Sequence, residues 1–425
     1  MQVIVSNLQV VLMTAIAQGA AGTVYEHPSR RDLVVKIYTT PADCEELRIK
    51  WLCANPPSLM WDKRRPRFGW PLEPVYDART GDMIGFVMPR ATGCVEVQAI
   101  VDPSTRIPSI SRDWLRNVAI SFLSRLHSLH LQNYIVGDIN FRNILVSRRA
   151  VVTLIDVDSF HFTIPNGGPT FSTMGFRPEL QPPELVEAVP PVYDRDYDQD
   201  AFSAYVVVYR LLCQGVHPFS CQYLGQGDMP LPQELLQQAI WPDALKHPLY
   251  RPAPCKYPLA SLPPAMQQLF RQMFDEGLTD RTKRPNVTEL LTCLQQRRSI
   301  GSTLRSRVGH VAWSRQQKCG NRARDLAYLR NGARLLRRHK GKVALAAVTA
   351  LGIGAAFKPD EAQQTTQPRF SSLRSRQTRQ TPMLGLRDRV SDPAHVELTE
   401  PGLKLLPTPK LWQRANETTR LPRNG

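Results

Sequence analysis

The first part of the chain alternates between short apolar runs and turns, a pattern that predicts strands. Apolar runs at 10–16 and 33–38 flank a Gly/Ala-rich turn, and 70–90 is again extended, with a hairpin turn at Asp77–Gly81. A helix is predicted over 42–54, because Asn55-Pro56-Pro57 follows and proline disfavours helical continuation. This part of the chain therefore predicts a small, strand-rich unit with one helix.

From residue 111 onward the apolar spacing becomes that of helices. Within 111–131, Trp114, Val118 and Phe122 recur every four residues, as on one face of an amphipathic helix. Two short apolar runs, 143–146 and 151–157, predict strands after that helix. Further helices are predicted at 201–212, 232–241, 264–275 and 286–296. A larger, helix-rich part therefore follows the strand-rich one.

The charge of the chain divides it in two. The 425 residues carry a net charge of +17, but residues 1–296 have a net charge of −1 and residues 297–425 a net charge of +18. Hydrophobic residues make up 42% of the chain, which excludes a collagen-like or wholly disordered protein. We expect a near-neutral globular body at 8–296, followed by a strongly basic region.

The cysteines and the N-terminus indicate a reducing compartment. The eight cysteines include no CxxC motif, which argues against a zinc module or a secreted disulfide scaffold. The first residues, MQVIVSNLQVVLM, have neither a basic region nor a small-residue cleavage site, so no signal peptide is predicted.

Two groups of residues suited to binding phosphate lie in the strand-rich part. Gly19 and Gly22 lie in a turn between two strand-like runs, where glycine lets backbone amides approach phosphate oxygens. Lys36 follows within the apolar run VVKIY, and a carboxylate of the next helix, Glu45 or Glu46, is placed to pair with it. Each feature alone has an ordinary alternative, a hairpin turn or a solvated lysine.

Two groups suited to hydroxyl and metal chemistry follow in the helix-rich part. Asp138 and Asn143 lie five residues apart on a short loop, where an aspartate can accept a hydroxyl proton and an asparagine can bind a metal. Asp156 ends an apolar strand 18 residues after Asp138, and carboxylates suit Mg²⁺. The order and spacing of all four groups predict one nucleotide–metal cleft.

These motifs resemble the eukaryotic-like protein kinase superfamily and, more closely, the bacterial YegI-like kinase family. The matching segments are KIY, ANPP, GFVMPR, GDINFRNILV, LIDVDSF, PPEL and GVHPF, within about residues 10–295. The resemblance implies an α+β, bilobal protein kinase-like fold, with a small β-rich N-lobe and a larger helical C-lobe. It also implies ATP and Mg²⁺ as cofactors, and transfer of phosphate to Ser/Thr hydroxyls of protein substrates.

The resemblance assigns a role to each of these positions. Gly19, Gly22 and Val24 match the glycine-rich loop and the strand after it. Lys36 matches the phosphate-binding strand lysine, which Glu46 would hold, with Glu45 as the fallback. Met88, Pro89 and Arg90 match the hinge that holds adenine, Asp138 matches the catalytic aspartate, and Asn143 and Asp156 match the metal ligands. Glu184 matches the end of the activation segment and Arg284 its arginine partner. Asp200 matches the aspartate that braces the catalytic loop.

Several positions depart from the kinase pattern. Ala17 replaces the first glycine of the loop, and Val136 and Gly137 replace the His and Arg before Asp138. Asn140 replaces a lysine, which removes a positive charge near the transferred phosphoryl group and slows a reaction governed by electrostatic positioning. Asp158 replaces a glycine, where it either adds a metal ligand or caps a turn.

Alternatives therefore remain for the function. A pseudokinase scaffold would bind nucleotide and partners without phosphoryl transfer. Small-molecule phosphotransferases share the GDxxxxN loop, although the PPE and DAFSAY segments favour the protein kinase branch. By family resemblance, a phosphatase and a von Willebrand-type protein are expected partners. The sequence does not identify the substrate.

The C-terminal region has three predicted parts. A basic, partly helical linker spans 297–342, an apolar segment spans 343–357, and a basic, largely disordered tail spans 358–425. The tail either contacts an anionic membrane or nucleic acid, without a sequence-specific nucleic-acid module, or is simply solvated. The apolar segment is either a buried or interfacial helix or a short single-pass anchor, and the basic residues before it would then leave the kinase domain in the cytoplasm.

Overall fold

The computed structural model describes residues 1–40, 44–104, 110–173, 175–189, 191–243 and 247–296. The predicted linker 297–342, apolar segment 343–357 and tail 358–425 all lie outside these residues. Across the described ranges, no helix is both long enough and apolar enough to cross a membrane.

An antiparallel sheet forms the N-terminal part. The first nine strands are β1 (Gln2–Val5), β2 (Leu8–Val11), β3 (Ala15–Gln18), β4 (Gly22–Glu26), β5 (Leu33–Tyr38), β6 (Trp61–Asp62), β7 (Arg65–Pro66), β8 (Glu73–Asp77) and β9 (Met83–Pro89). Seven of them form one sheet in the order β2-β1-β8-β9-β5-β4-β3, while β6 and β7 pair with each other. Strand β1 precedes the predicted domain start at residue 8, yet it pairs with β8 and belongs to the sheet.

One helix accompanies this sheet. Helix α1 (Glu46–Ala54) follows β5 and ends at Asn55, immediately before Pro56-Pro57, as predicted. The helix begins later than the predicted residue 42, because Cys44 and Glu45 are described and are not helical; Glu45 has the extended backbone of a residue that precedes a helix. Ile49 and Leu52 of α1 are fully buried, which fixes the helix against the protein interior.

The C-terminal part is mainly helical. Its helices are α2 (Gln98–Val101), α3 (Arg112–His130), α4 (Tyr197–Leu212), α5 (Pro232–Gln237), α6 (Pro264–Arg271), α7 (Gly277–Thr279) and α8 (Val287–Gln296), with a π-helical turn at Gln272–Glu276. Its short strands are β10 (Cys94–Glu96), β11 (Ile144–Ser147), β12 (Val152–Leu154), β13 (Phe162–Thr163), β14 (Thr170–Phe171), β15 (Cys221–Tyr223) and β16 (Tyr250–Pro252). A sheet-rich part followed by a helical part agrees with the predicted bilobal kinase-like fold.

The core of the helical part follows the predicted apolar faces. Trp114, Val118 and Phe122 of α3 are buried, and the Ser111 side chain caps this helix by accepting the amide hydrogen of Trp114. Helix α4 is buried along almost its whole length, as its apolar sequence predicts. Helices α3 and α4 pack against each other; α3 also packs against β12, and Asp200 of α4 binds the backbone at 136–137.

Candidate active site

The strand register places several predicted site residues on one face of the sheet. Val24 of β4 and Phe86 of β9 both lie directly opposite Lys36 of β5, and Met88 lies opposite Val34. Directly opposed residues of antiparallel strands share a face, as do residues two apart in one strand. Val24, Lys36 and Met88 therefore lie on the same face, as a common cleft requires.

Gly19 and Gly22 have different structural roles in the loop. Gly19 donates its amide hydrogen to the Gly22 carbonyl oxygen at 2.8 Å, which closes the β3–β4 turn. A Cβ at Gly22 would lie 2.3 Å from the Ile37 carbonyl oxygen, so the close approach of β4 to β5 requires glycine there. A Cβ at Gly19 would meet only the Gly22 oxygen, at 3.9 Å, so the turn at Gly19 is the open part of the loop.

Lys36 joins the sheet to the loop after β12. Its Nζ donates to Asp156 Oδ1 at 2.8 Å and to the two carboxylate oxygens of Asp158 at 2.8 and 2.7 Å. Burial alone would lower the pKa of Lys36, but the two carboxylates raise it above its ordinary value. The lysine is therefore a buried ammonium group that contacts the predicted metal ligand Asp156.

The predicted contact between Lys36 and Glu46 is not made. Glu46 is exposed and pairs with Lys50 at 2.5 Å, one helical turn away on α1. The fallback, Glu45, pairs with Arg48 at 2.9 Å. Asp158 takes the position beside Lys36 that the sequence analysis assigned to Glu46.

Helix α1 turns an arginine toward the interior. Arg48 is 4% exposed and donates from Nη1 to the Asp158 carbonyl oxygen at 2.9 Å and from Nη2 to the Ser172 carbonyl oxygen at 2.7 Å. Burial lowers the pKa of Arg48. These bonds connect α1 to both ends of the segment that follows Asp156.

The predicted hinge residues lie at the end of β9. The Met88 sulfur and the Ile155 side chain both lie next to Gly69, at 3.5 and 3.4 Å from where its Cβ would be, so Met88 is close to the loop that carries Asp156. Pro89 ends the strand. The Arg90 amide donates to the Asp32 carbonyl oxygen at 2.8 Å, and its side chain pairs with Glu26, so both groups have protein partners.

The catalytic-loop residues converge around Asp138. Its Oδ2 accepts hydrogen bonds from Asn140 Nδ2 at 3.0 Å and from Asn143 Nδ2 at 3.5 Å. Its Oδ1 is buried and has no hydrogen-bond partner among the described residues. Burial raises the pKa of the Asp138 carboxyl to about 6, against the hydrogen bond from Asn140, which lowers it. One carboxylate oxygen is thus held by hydrogen bonds, while the other is buried without a hydrogen-bond partner among the described residues.

The two predicted metal ligands are brought together by backbone pairing. Strands β11 and β12 are antiparallel, and the Ile155 amide donates to the Asn143 carbonyl oxygen at 2.9 Å. Asp156 follows directly, with φ of +64°, and its side chain is 38% exposed. The loop therefore presents Asp156 to the cleft instead of burying it.

The donor set at this site suits Mg²⁺. Asp156 supplies a carboxylate and Asn143 an amide oxygen, both hard ligands of the kind Mg²⁺ prefers. Among the residues that the structure describes, no cluster of three or more His, Cys, Asp or Glu side chains is arranged to hold a metal. Mg²⁺ commonly takes one or two protein ligands together with substrate phosphates, so these two residues fit the ion that the resemblance implies.

A buried aspartate braces the catalytic loop, as the sequence predicts. Asp200 accepts the amide hydrogens of Val136 at 2.7 Å and of Gly137 at 2.8 Å, and its carboxylate also contacts His130 Nε2 at 3.0 Å. Gly137 has φ of +69°, and a Cβ there would lie 2.1 Å from Thr173 Oγ1. The replacement of the usual arginine by glycine therefore lets the segment containing Thr173 pack against the catalytic loop.

The ion pair predicted to close the activation segment is present. Arg284 Nη1 and Nη2 donate to the two carboxylate oxygens of Glu184 at 2.7 and 2.9 Å. Such paired bonds fix both position and orientation. The pair ties the segment before α4 to the turn before α8, across 100 residues of sequence.

Comparison with known proteins supports the predicted relationship. No protein-family model matches the chain. Protein kinase YegI of Escherichia coli strain K12 is 28% identical over 271 residues, which cover 62% of this chain and 41% of that protein. Protein kinase YegI of Escherichia coli O157:H7 matches with the same identity and coverage. The chain spans about two fifths of the length of these curated relatives, and the similarity confirms the resemblance to YegI-like kinases.

Proposed function

We propose that the body of this chain is a protein kinase that transfers phosphate from ATP to Ser/Thr hydroxyls of proteins, with Mg²⁺. The observation that carries the proposal is the 2.8 Å contact of Lys36 Nζ with Asp156 Oδ1, which joins residues 120 positions apart. The similarity to Protein kinase YegI supports the same conclusion.

Each residue has a role that follows from its surroundings. Lys36 is a buried cation at the cleft and orients the nucleotide phosphates by charge. Asn143 and Asp156 would hold the metal through oxygen atoms. Asp138 keeps Oδ1 unpartnered among the described residues and accepts the proton of the acceptor hydroxyl. Bound ATP and Mg²⁺ would supply the phosphoryl group and the charge that neutralises it during transfer.

The closure of the activation segment favours a protein acceptor over a small molecule. The Glu184–Arg284 pair and the Asp200 brace involve the PPE and DAFSAY segments, which favour the protein kinase branch. Both form here: Asp200 holds the loop that leads into Asp138, and Arg284 holds the segment that contains Glu184. A fixed platform suits an extended polypeptide that must present its hydroxyl to Asp138.

The direct test is transfer of radiolabelled phosphate from ATP to the protein itself and to a generic protein substrate, with Mg²⁺. We expect transfer by the wild type and its loss in Asp138→Ala, with nucleotide binding retained in that variant. Asp113→Ala, on the first turn of α3, is the matched control and should transfer phosphate like the wild type. ATP binding without Asp138-dependent transfer would refute the kinase proposal and indicate a pseudokinase scaffold.

A further inference from the structure

We propose that Asp158 is the positioning residue that holds the Lys36 ammonium group in the cleft, in place of a helix carboxylate. The inference rests on the proposed function, since it concerns the same phosphate-binding lysine. It assigns separate roles to the two aspartates of the Asp156-Val157-Asp158 segment.

The two carboxylates that contact Lys36 differ in exposure. The Asp158 side chain is 7% exposed and places both oxygens within 2.8 Å of Lys36 Nζ. The Asp156 side chain is 38% exposed and places one oxygen at 2.8 Å from the same nitrogen. Asp158 therefore holds the lysine from within the protein, while the more exposed Asp156 faces the cleft, where it would hold a metal.

The protein also fixes the Asp158 carboxylate itself. Tyr38, two residues after Lys36 on β5, donates its hydroxyl to Asp158 Oδ2 at 2.7 Å. The Arg48 guanidinium holds the backbone carbonyl of Asp158 at 2.9 Å. Because Asp158 is held by residues of both β5 and α1, the fold itself keeps its carboxylate in contact with Lys36.

The alternative partner is placed elsewhere. The side chains of Glu46 and Lys50 are about half exposed and contact each other on the surface of α1. A surface pair of this kind contributes little to stability and holds neither residue in place. The buried side of α1 carries Arg48, whose positive charge would repel a lysine, so α1 supplies no carboxylate to Lys36 in this arrangement.

The test measures binding of a fluorescent ADP analogue with Mg²⁺ to the full chain. Asp158→Asn should weaken binding by about tenfold or more, the scale of one charge-assisted hydrogen bond. Glu46→Gln, the matched control, should bind like the wild type. Lys36→Met should weaken binding at least as much as Asp158→Asn, and the Lys36→Met/Asp158→Asn double variant should be no weaker than Lys36→Met alone.

A milder variant guards against loss of folding. Tyr38→Phe keeps the ring and removes only the hydroxyl that holds Asp158, so it should weaken binding by a smaller factor in a chain with wild-type circular dichroism. Weaker binding in Glu46→Gln with wild-type binding in Asp158→Asn would overturn the inference, and so would additive losses in the double variant. A wild type that binds the analogue but transfers no phosphate would refute only the kinase function, because binding still tests Asp158.

Discussion

The brace beneath the catalytic loop gives the sharpest test of how the fold supports the site. Asp200 is 2% exposed, and its two carboxylate oxygens accept the amide hydrogens of Val136 and Gly137. Asp200→Asn preserves the size of the side chain but replaces one acceptor oxygen by an NH₂ donor. One of the two buried amides then faces a donor instead of an acceptor.

The cost follows from that lost bond. A hydrogen bond to a charged group contributes about 1.5–3 kcal/mol, and a buried donor without an acceptor costs about 1–3 kcal/mol. These figures overlap, because the second describes the same broken bond, so we expect the free energy of unfolding to fall by about 2–4 kcal/mol. Phosphoryl transfer should fall as well, because the two amides immediately precede Asp138.

The assay is chemical denaturation of the full chain followed by circular dichroism, beside a transfer assay. The matched control is Asp198→Asn, two residues earlier on α4, where the aspartate is exposed. Surface changes of that kind usually stay within about 0.5 kcal/mol. If Asp200→Asn and Asp198→Asn have the same free energy of unfolding, the Asp200 carboxylate does not stabilise the catalytic loop and the reasoning is wrong.

Three further predictions concern residues that support the fold around the cleft or lie away from it. Burial lowers the pKa of His217 to about 3, so the unfolded chain binds its proton first as the pH falls below about 6.5, and stability is lost on that side. On lowering the pH from about 7.5 to about 5, His217 alone should lower the free energy of unfolding by about 2 kcal/mol, measured by chemical denaturation. The free energy of unfolding of His217→Gln should depend less on pH; an equal dependence would contradict the lowered pKa of His217. Glu184→Gln should lower the free energy of unfolding by about 2 kcal/mol. This loss is smaller than for a fully buried ion pair, because the Glu184 side chain is 27% exposed. An unchanged free energy of unfolding would show that Arg284 needs no charged partner. Gly137→Ala should cost about 1–3 kcal/mol from its positive φ and the contact with Thr173, and Thr173→Ala should restore part of that loss; no recovery would argue against the steric cause.

Much of the site could be predicted because its geometry is set by strands and short loops. A strand alternates its side chains strictly, so the run VVKIY already places Lys36 and Tyr38 on one face. The loop between Asp138 and Asn143 is short and enters β11 directly, which leaves little freedom in how the two side chains meet. The Glu184–Arg284 and Asp200 contacts were predicted from the resemblance, and the structure forms both.

The partner of Lys36 could not be predicted in this way, because it depends on the rotation of α1 about its axis. Each residue turns a helix by about 100°. The apolar residues of α1 do not form one stripe, since Leu47 is 54% exposed while Ile49 and Leu52 are fully buried. The sequence therefore does not show whether Glu46 or Arg48 faces inward. The signal was instead the departure at Asp158, interpreted as a metal ligand or a turn cap.

Strand β1 was also not predicted from the sequence. The turn joining β1 to β2 consists of Ser6 and Asn7, both with positive φ, of 50° and 61°. Two-residue hairpin turns of this kind are usually marked by Asn-Gly or Asp-Gly, and Ser-Asn is a weaker signal. The apolar residues on both sides, QVIV and LQVV, were nevertheless visible.

The central claim is that Lys36, Asn143 and Asp156 meet at one nucleotide–metal cleft. Calorimetric titration of ATP into the full chain, with and without Mg²⁺, tests it most directly, comparing the wild type with Asp156→Asn. We expect Mg²⁺ to strengthen ATP binding to the wild type and to have little effect on the variant. Equal strengthening of both proteins by Mg²⁺, or no ATP binding by the wild type, would contradict the claim.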